Sequence, residues 1–140
     1  MYENILVGTD GSGAADRAVA HALELAERYG ATVHGIFVVD TGIYGESALS
    51  SADIQTHEIE ATGAEFLDEI ERRAAEIGVT FERRCCHGRP HEEIIGYANT
   101  IDADLVVLGH HGRTHADGTV LGSVSDRVIR FADRPTLIIS

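Results

Sequence analysis

Short continuous runs of apolar residues alternate along this chain with longer stretches in which apolar residues recur every three or four positions. The first pattern suits a strand buried on both faces, and the second a helix that buries one stripe. Asn4 to Gly8 reads as the first strand and leads into Thr9-Asp10-Gly11-Ser12-Gly13, a turn and helix-cap cluster. The following helix places Ala18, Val19, Ala22, Leu23 and Ala26 along one stripe and ends near Gly30. Thr32 to Val39 forms a second strand. Ile59 through Ile77 reads as a long helix with Phe66, Ile70, Ala74 and Ile77 inward. Val79 to Cys86 is more polar and alternating, as suits a strand at a sheet edge. Pro90 fits the first turn of a helix whose positive end faces Glu92 and Glu93, and which buries Ile94, Ile95, Ala98 and Ile101. Asp104 to Leu108 is the fourth strand. Val124, Val128, Ile129 and Ala132 fall on the stripe of the last helix, and Pro135 to Ile139 closes the pattern as a fifth strand. Asp40 to His57 is irregular, with Ile43, Tyr44 and Leu49 as scattered apolar residues; a flexible crossover and a functional lid both fit a loop of that length.

Strand–helix alternation implies right-handed crossovers and a parallel sheet covered by helices on both faces. The expected architecture is therefore α/β, a single domain over residues 1–140 with five strands in the order 3-2-1-4-5. Ligands of such sheets bind beyond the strands' carboxyl ends, where the strand order reverses. Here that crevice lies between strands one and four. The Asp10 turn and the loop after Leu108 should face each other across it.

Composition narrows the partners. Hydrophobic residues make up 44% of the chain, enough for a folded core, and no apolar run approaches membrane-spanning length. Met1 to Asn4 runs straight into a strand without a secretory leader, so the expected location is cytoplasmic. The net charge of −12 disfavours nucleic acid and anionic membranes as partners. All 11 basic residues are arginine, which excludes a phospho-receiver domain, since that chemistry needs a lysine late in the chain. Acidity of this degree fits either solubility by self-repulsion or life in a high-salt cytoplasm, and the halophilic reading is the expectation. Cys85 and Cys86 are neighbours on a strand and point to opposite faces, so they read as small buried hydrophobes, not a disulfide or zinc pair.

The chemistry concentrates between Gly109 and Ser125, GHHGRTHADGTVLGSVS. A strand, a glycine-punctuated loop and a helix start together aim main-chain N–H groups and a positive dipole end at one point, which suits a phosphate. Ser123 and Asp126 form an S-x-x-D capping box that predicts where the helix begins. The spacing G-x2-G-x9-G-S lacks the G-K-[ST] ending of a Walker A loop and is not the G-x-G-x-x-G dinucleotide fingerprint.

That spacing resembles the nucleotide-binding motif of the universal stress protein family, in its ATP-binding branch. The resemblance runs nearly end to end: ILVGTDGS at Ile5 to Ser12, VVD at Val38 to Asp40, GRPHEEII at Gly88 to Ile95, LVVLGHHGR at Leu105 to Arg113, LGSVSDRVIR at Leu121 to Arg130, and RPTLIIS at the end. It implies an adenine nucleotide alpha hydrolase-like fold, ATP as ligand with Mg or Mn bridging the phosphates, and a homodimer formed through the last strand. Carried over by residue, Thr9 and Asp10 would stand near the ribose and triphosphate, with Asp10 a possible water-mediated metal contact. The Val38 main chain would read the adenine edge. Gly109 and Gly112 would admit the phosphates, Gly122, Ser123, Val124 and Ser125 would supply N–H groups and hydroxyls to them, and Arg113 is a candidate counter-charge. An Asx-turn or helix cap also accounts for Asp10 and is compatible with that role, and a solvated surface position equally explains Arg113. The family pattern departs at His110, where many relatives carry serine. His87, His91 and His115 are too scattered to form a metal constellation. The implied function is a nucleotide-controlled regulatory or stress-response module. The alternatives are a slow ATPase, in which Asp10, His111 and Ser125 are conceivable participants, and a dimeric scaffold without nucleotide. No catalytic residue is assigned.

Overall fold

In a computed structural model the pattern becomes β1 (Asn4–Gly8), α1 (Gly13–Tyr29), β2 (Thr32–Asp40), α2 (Leu49–Glu76), β3 (Phe81–Gly88), α3 (Pro90–Thr100), β4 (Leu105–Gly109), α4 (Ser123–Phe131) and β5 (Thr136–Ile139). The structure describes residues 2–41, 49–110 and 122–140, with side chains from 57 onward in α2. All strands pair in parallel, in the order β3-β2-β1-β4-β5. The expected order holds.

Two apolar layers follow from strand alternation. Ile5, Val7, Val33, Leu105 and Val107 face α1 and α2, where Ala18, Val19, Ala22, Leu67, Ile70 and Ala74 meet them. Leu6, Ile36, Val106 and Leu108 face the other way, against Ile94, Ala98 and Val128. Each fully buried Leu, Ile or Val stabilises the fold by about 1.5–3 kcal/mol. The alanine stripe of α1 lets that helix lie close on β1 and β4. Gly30, at φ 68°, closes α1 in the left-handed region and donates its N–H to the Ala26 carbonyl.

Several expectations need correction. α2 begins at Leu49, so the second half of the irregular stretch is helical, and residues 42–48 lie outside the described residues. The apolar signal there is too sparse to show a helical period. Ile77 is exposed, because α2 ends at Glu76 and Gly78 (φ 71°) turns the chain; Val79 takes the inward place, and Leu67 is buried where no inward position was expected. Ile129 is also exposed, since the short α4 turns only its Val128 side fully into the core. The cysteines are not both buried. β3 is an edge strand, so Cys85 is exposed on it and Cys86 is only half-buried. Burial, reinforced by Glu93, pushes the Cys86 thiol up to about 11.

Candidate functional site

Parallel topology brings the carboxyl ends of the strands and the amino ends of the following helices to one edge of the sheet. β1 is the first central strand to stop there. Its register with β2 ends at Gly8 opposite Ile36, and its register with β4 ends at Val7 opposite Val107. The flanking strands run on. On β2, the Thr32 N–H donates to the Glu3 carbonyl and the Ile36 carbonyl accepts from the Thr9 N–H, so even-numbered residues turn their main chain toward β1. Val38 and Asp40 share that parity and lie past the end of the pairing. On β4, the Val106 and His110 N–H groups donate toward β5, to Pro135 and Ile139 respectively. Gly109 has the opposite parity and turns toward β1. The main-chain groups of Val38 and Gly109 therefore converge over the end of β1 from either side.

The turn after β1 forms the near wall. Asp10 Oδ1 accepts the Ser12 N–H at 2.9 Å, and Thr9 Oγ1 accepts the Gly11 N–H at 3.3 Å. Asp10 thus makes the Asx-turn that its context suggested. Gly11 sits at φ 79°, and a Cβ there would collide with the Phe66 ring. Ser12 caps α1, its hydroxyl accepting the Ala15 N–H at 3.1 Å.

The far wall is the end of β4 with the start of α4. A Cβ on Gly109 would lie 2.8 Å from the Ala14 carbonyl carbon and 2.9 Å from the Ala15 nitrogen, so only glycine lets α1 begin so close to β4. The Gly109 carbonyl accepts the Ser125 hydroxyl at 2.6 Å, and the His110 carbonyl accepts the Gly122 N–H at 2.8 Å. These two bonds strap the first turn of α4 to β4. Ser125 is buried, its proton directed to Gly109, a local role that sequence reasoning missed.

The expected capping box does not form. Gly122 is the N-cap of α4, with no side-chain cap bond, and Ser123 is already the first helical residue. Asp126 is consequently out of register for a box. Its N–H donates to Gly122 and its carboxylate pairs with Arg130 at 3.0 Å. The helix thus starts with its positive dipole end closed by no side chain, beside Gly109. Thr9, Asp10, Val38, Gly109, Gly122, Ser123, Val124 and Ser125 all lie at this edge of the sheet. Gly112 and Arg113, with His111 and His115, lie outside the described residues. Among the described residues, no three metal-ligating side chains are grouped to hold an ion.

Sequence reasoning concentrated on α4 and missed α1 as a wall of the crevice. The readable signal was Ala14-Ala15, two small residues after a glycine turn. Comparison with known proteins agrees with this architecture. The model of the Universal stress protein family matches residues 1–140. Universal stress protein MJ0531 of Methanocaldococcus jannaschii is 34% identical over 140 residues, spanning 99% of this chain and 82% of that protein. The solved structure of MJ0577, from the same organism, matches with a TM-score of 0.89 at 26% identity, over 99% of this chain and 96% of that one. A universal stress protein solved in complex with cAMP matches with a TM-score of 0.71 at 29% identity, over 99% of this chain and 96% of that one.

Proposed function

The chain belongs to the universal stress protein family, and on that premise we propose that its crevice binds ATP and that the nucleotide controls the shape or partner choice of a cytoplasmic homodimer. The observation that carries this reading is the convergence of the Val38 and Gly109 main chains over the end of β1, beside a helix start without a side-chain cap. Main-chain donors and acceptors at Val38 suit the hydrogen-bonding edge of a base, and N–H groups at Ser123 and Val124 suit phosphate oxygens. Asp10, between them, suits the ribose. Gly112 and Arg113 would complete the phosphate side.

A divalent ion, Mg or Mn, would take most of its ligands from phosphates and water, as Mg²⁺ characteristically does, with Asp10 a carboxylate at the same edge that could contribute through water. When bound, it would neutralise phosphate charge that an acidic protein otherwise repels. The acidic surface suits a high-salt interior. Dimerisation through β5 is supported by its position at the open edge of the sheet, where Leu137, Ile138 and Ile139 are all half-buried.

Denaturing the protein purified at high salt and separating what it releases tests the reading. ATP is expected from the wild type and none from Gly122→Val, in which a branched side chain intrudes at the helix start. No released nucleotide, together with no rise in melting temperature on adding Mg·ATP, would overturn it.

A further inference from the structure

The chain carries 23 Asp and Glu residues and 11 arginines, so most of the described guanidiniums find a carboxylate side chain. Six of the described arginines pair with carboxylates: Arg28, Arg72, Arg73, Arg83, Arg130 and Arg134. Arg17 does not. Its neighbour Asp16 is taken by Arg73 at 2.8 Å. Arg17 instead donates from Nε to the main-chain oxygen of Ser140 at 2.8 Å. Its Nη1 lies over the start of α1, 3.3 Å from where a Cβ on Gly13 would stand. Among the described residues its two terminal nitrogens make no hydrogen bond or ion pair. The side chain is held through Nε alone, which leaves the terminal pair of donors for a ligand.

The place of that charge follows from the register. Gly109 is paired with Ile139, and Ser140 is the next residue, so the guanidinium stands just beyond the Gly109–Ile139 pair at the carboxyl edge of the sheet. The missing Cβ of Gly109 faces Ala14 and Ala15, within the same first turn of α1 that Arg17 overlies. Gly109, the start of α1 and the Arg17 guanidinium therefore share one corner, above β4 and β5.

Sheet order gives a ligand in the crevice a direction. Val38 lies on β2, Asp10 follows β1, and the α4 start adjoins β4. A nucleotide whose base lies against Val38 and whose phosphates reach α4 runs across the strands toward β5. From β2 to β5 is three strand spacings, about 14 Å. A single phosphate next to the ribose stops short of the last strand, whereas a triphosphate continues toward it. We infer that Arg17 contacts the terminal phosphates and sets a preference for a nucleoside triphosphate over the monophosphate. This inference rests on the nucleotide reading of the crevice. A guanidinium suits the task because its planar fork offers paired donors to phosphate oxygens and stays charged at any physiological pH.

Calorimetric titration of ATP, ADP and AMP into the purified protein, at one fixed salt concentration, tests it. Arg17→Gln should weaken ATP binding about tenfold and leave AMP within about twofold. Arg17→Lys should recover part of the loss, and Arg28→Gln, which removes the same charge at the far end of α1, should change neither ligand. Unaltered AMP binding by Arg17→Gln also shows that the variant is folded. Equal losses for ATP and AMP, or no loss for ATP, would overturn the role of Arg17 while leaving the crevice reading intact. A wild-type protein that takes up none of the three nucleotides would overturn both.

Discussion

At the scale of single residues, Gly109 and Ser125 tie the two helix starts of the crevice to the end of β4. Gly109 stood out as a glycine before a loop, but the packing of its missing Cβ on Ala14 and Ala15 depends on a helix nearly a hundred residues earlier. Ser125 was expected to offer a hydroxyl outward and instead straps α4 to Gly109. His34 gave no signal at all, because a lone histidine in an apolar strand reads as filler. It is 5% exposed, with Nε2 3.0 Å from Asn4 Oδ1 and Nδ1 3.4 Å from the Tyr97 hydroxyl. Burial holds its pKa below the ordinary value, and the Glu82 carboxylate pulls partly the other way. The unfolded chain therefore takes up this proton more readily than the folded one, so stability rises with pH through the His34 window. Its contribution is full above about pH 6.5 and is lost as the pH falls through the lowered folded value. His34→Gln should flatten the fall in melting temperature between about pH 7 and pH 5. A slope as steep as that of the wild type would show that other groups set it.

At the scale of elements, strand–helix alternation carried most of the fold, because short unbroken apolar runs are easily told from longer stretches that repeat every three or four residues. The failures sit where the local signal and the tertiary arrangement compete. The start of α2 has few apolar residues to mark it, and the end of α2 is set by the glycine turn at Gly78, which sends Ile77 outward. The two helix starts at the crevice differ in a testable way. Ser12 lies one residue before α1 and its hydroxyl accepts the Ala15 N–H, whereas Ser123 lies inside α4 and makes no cap bond. Ser12→Ala should cost about 1 kcal/mol. That corresponds to a fall of roughly 2–4 °C in melting temperature for a domain of this size. Ser123→Ala should cost less than about 0.5 kcal/mol. Equal costs by denaturant titration would mean that the S-x-x-D signal marks a real cap and that α4 begins one residue later.

At the scale of the whole molecule, the crevice and the open sheet edge are neighbours. The His110 N–H bonds the Ile139 carbonyl at 2.6 Å, so the strand that leads into the proposed phosphate side also holds the end of β5. The outer side of β5 is a row of main-chain groups available to another strand. Its parity is readable from the ladder. Pro135 and Ile139 turn their carbonyls to β4, so Thr136 and Ile138 turn their main chain outward. Ile138→Pro therefore removes an outward N–H without breaking a bond to β4, a substitution that an edge strand tolerates. The proposed dimer gives this asymmetry a consequence. Sedimentation velocity should show a dimer for the wild type and a folded monomer for Ile138→Pro with an unchanged circular dichroism spectrum. Two chains of net charge −12 also repel each other at low ionic strength, so the wild-type dimer should strengthen as added salt shortens the screening length. A variant that remains dimeric would place the contact elsewhere, with exposed Phe131 and Ile129 on α4 the next apolar surface to test. A wild type that is monomeric across the whole salt range would remove β5 pairing from the account and leave the crevice to act within a single chain.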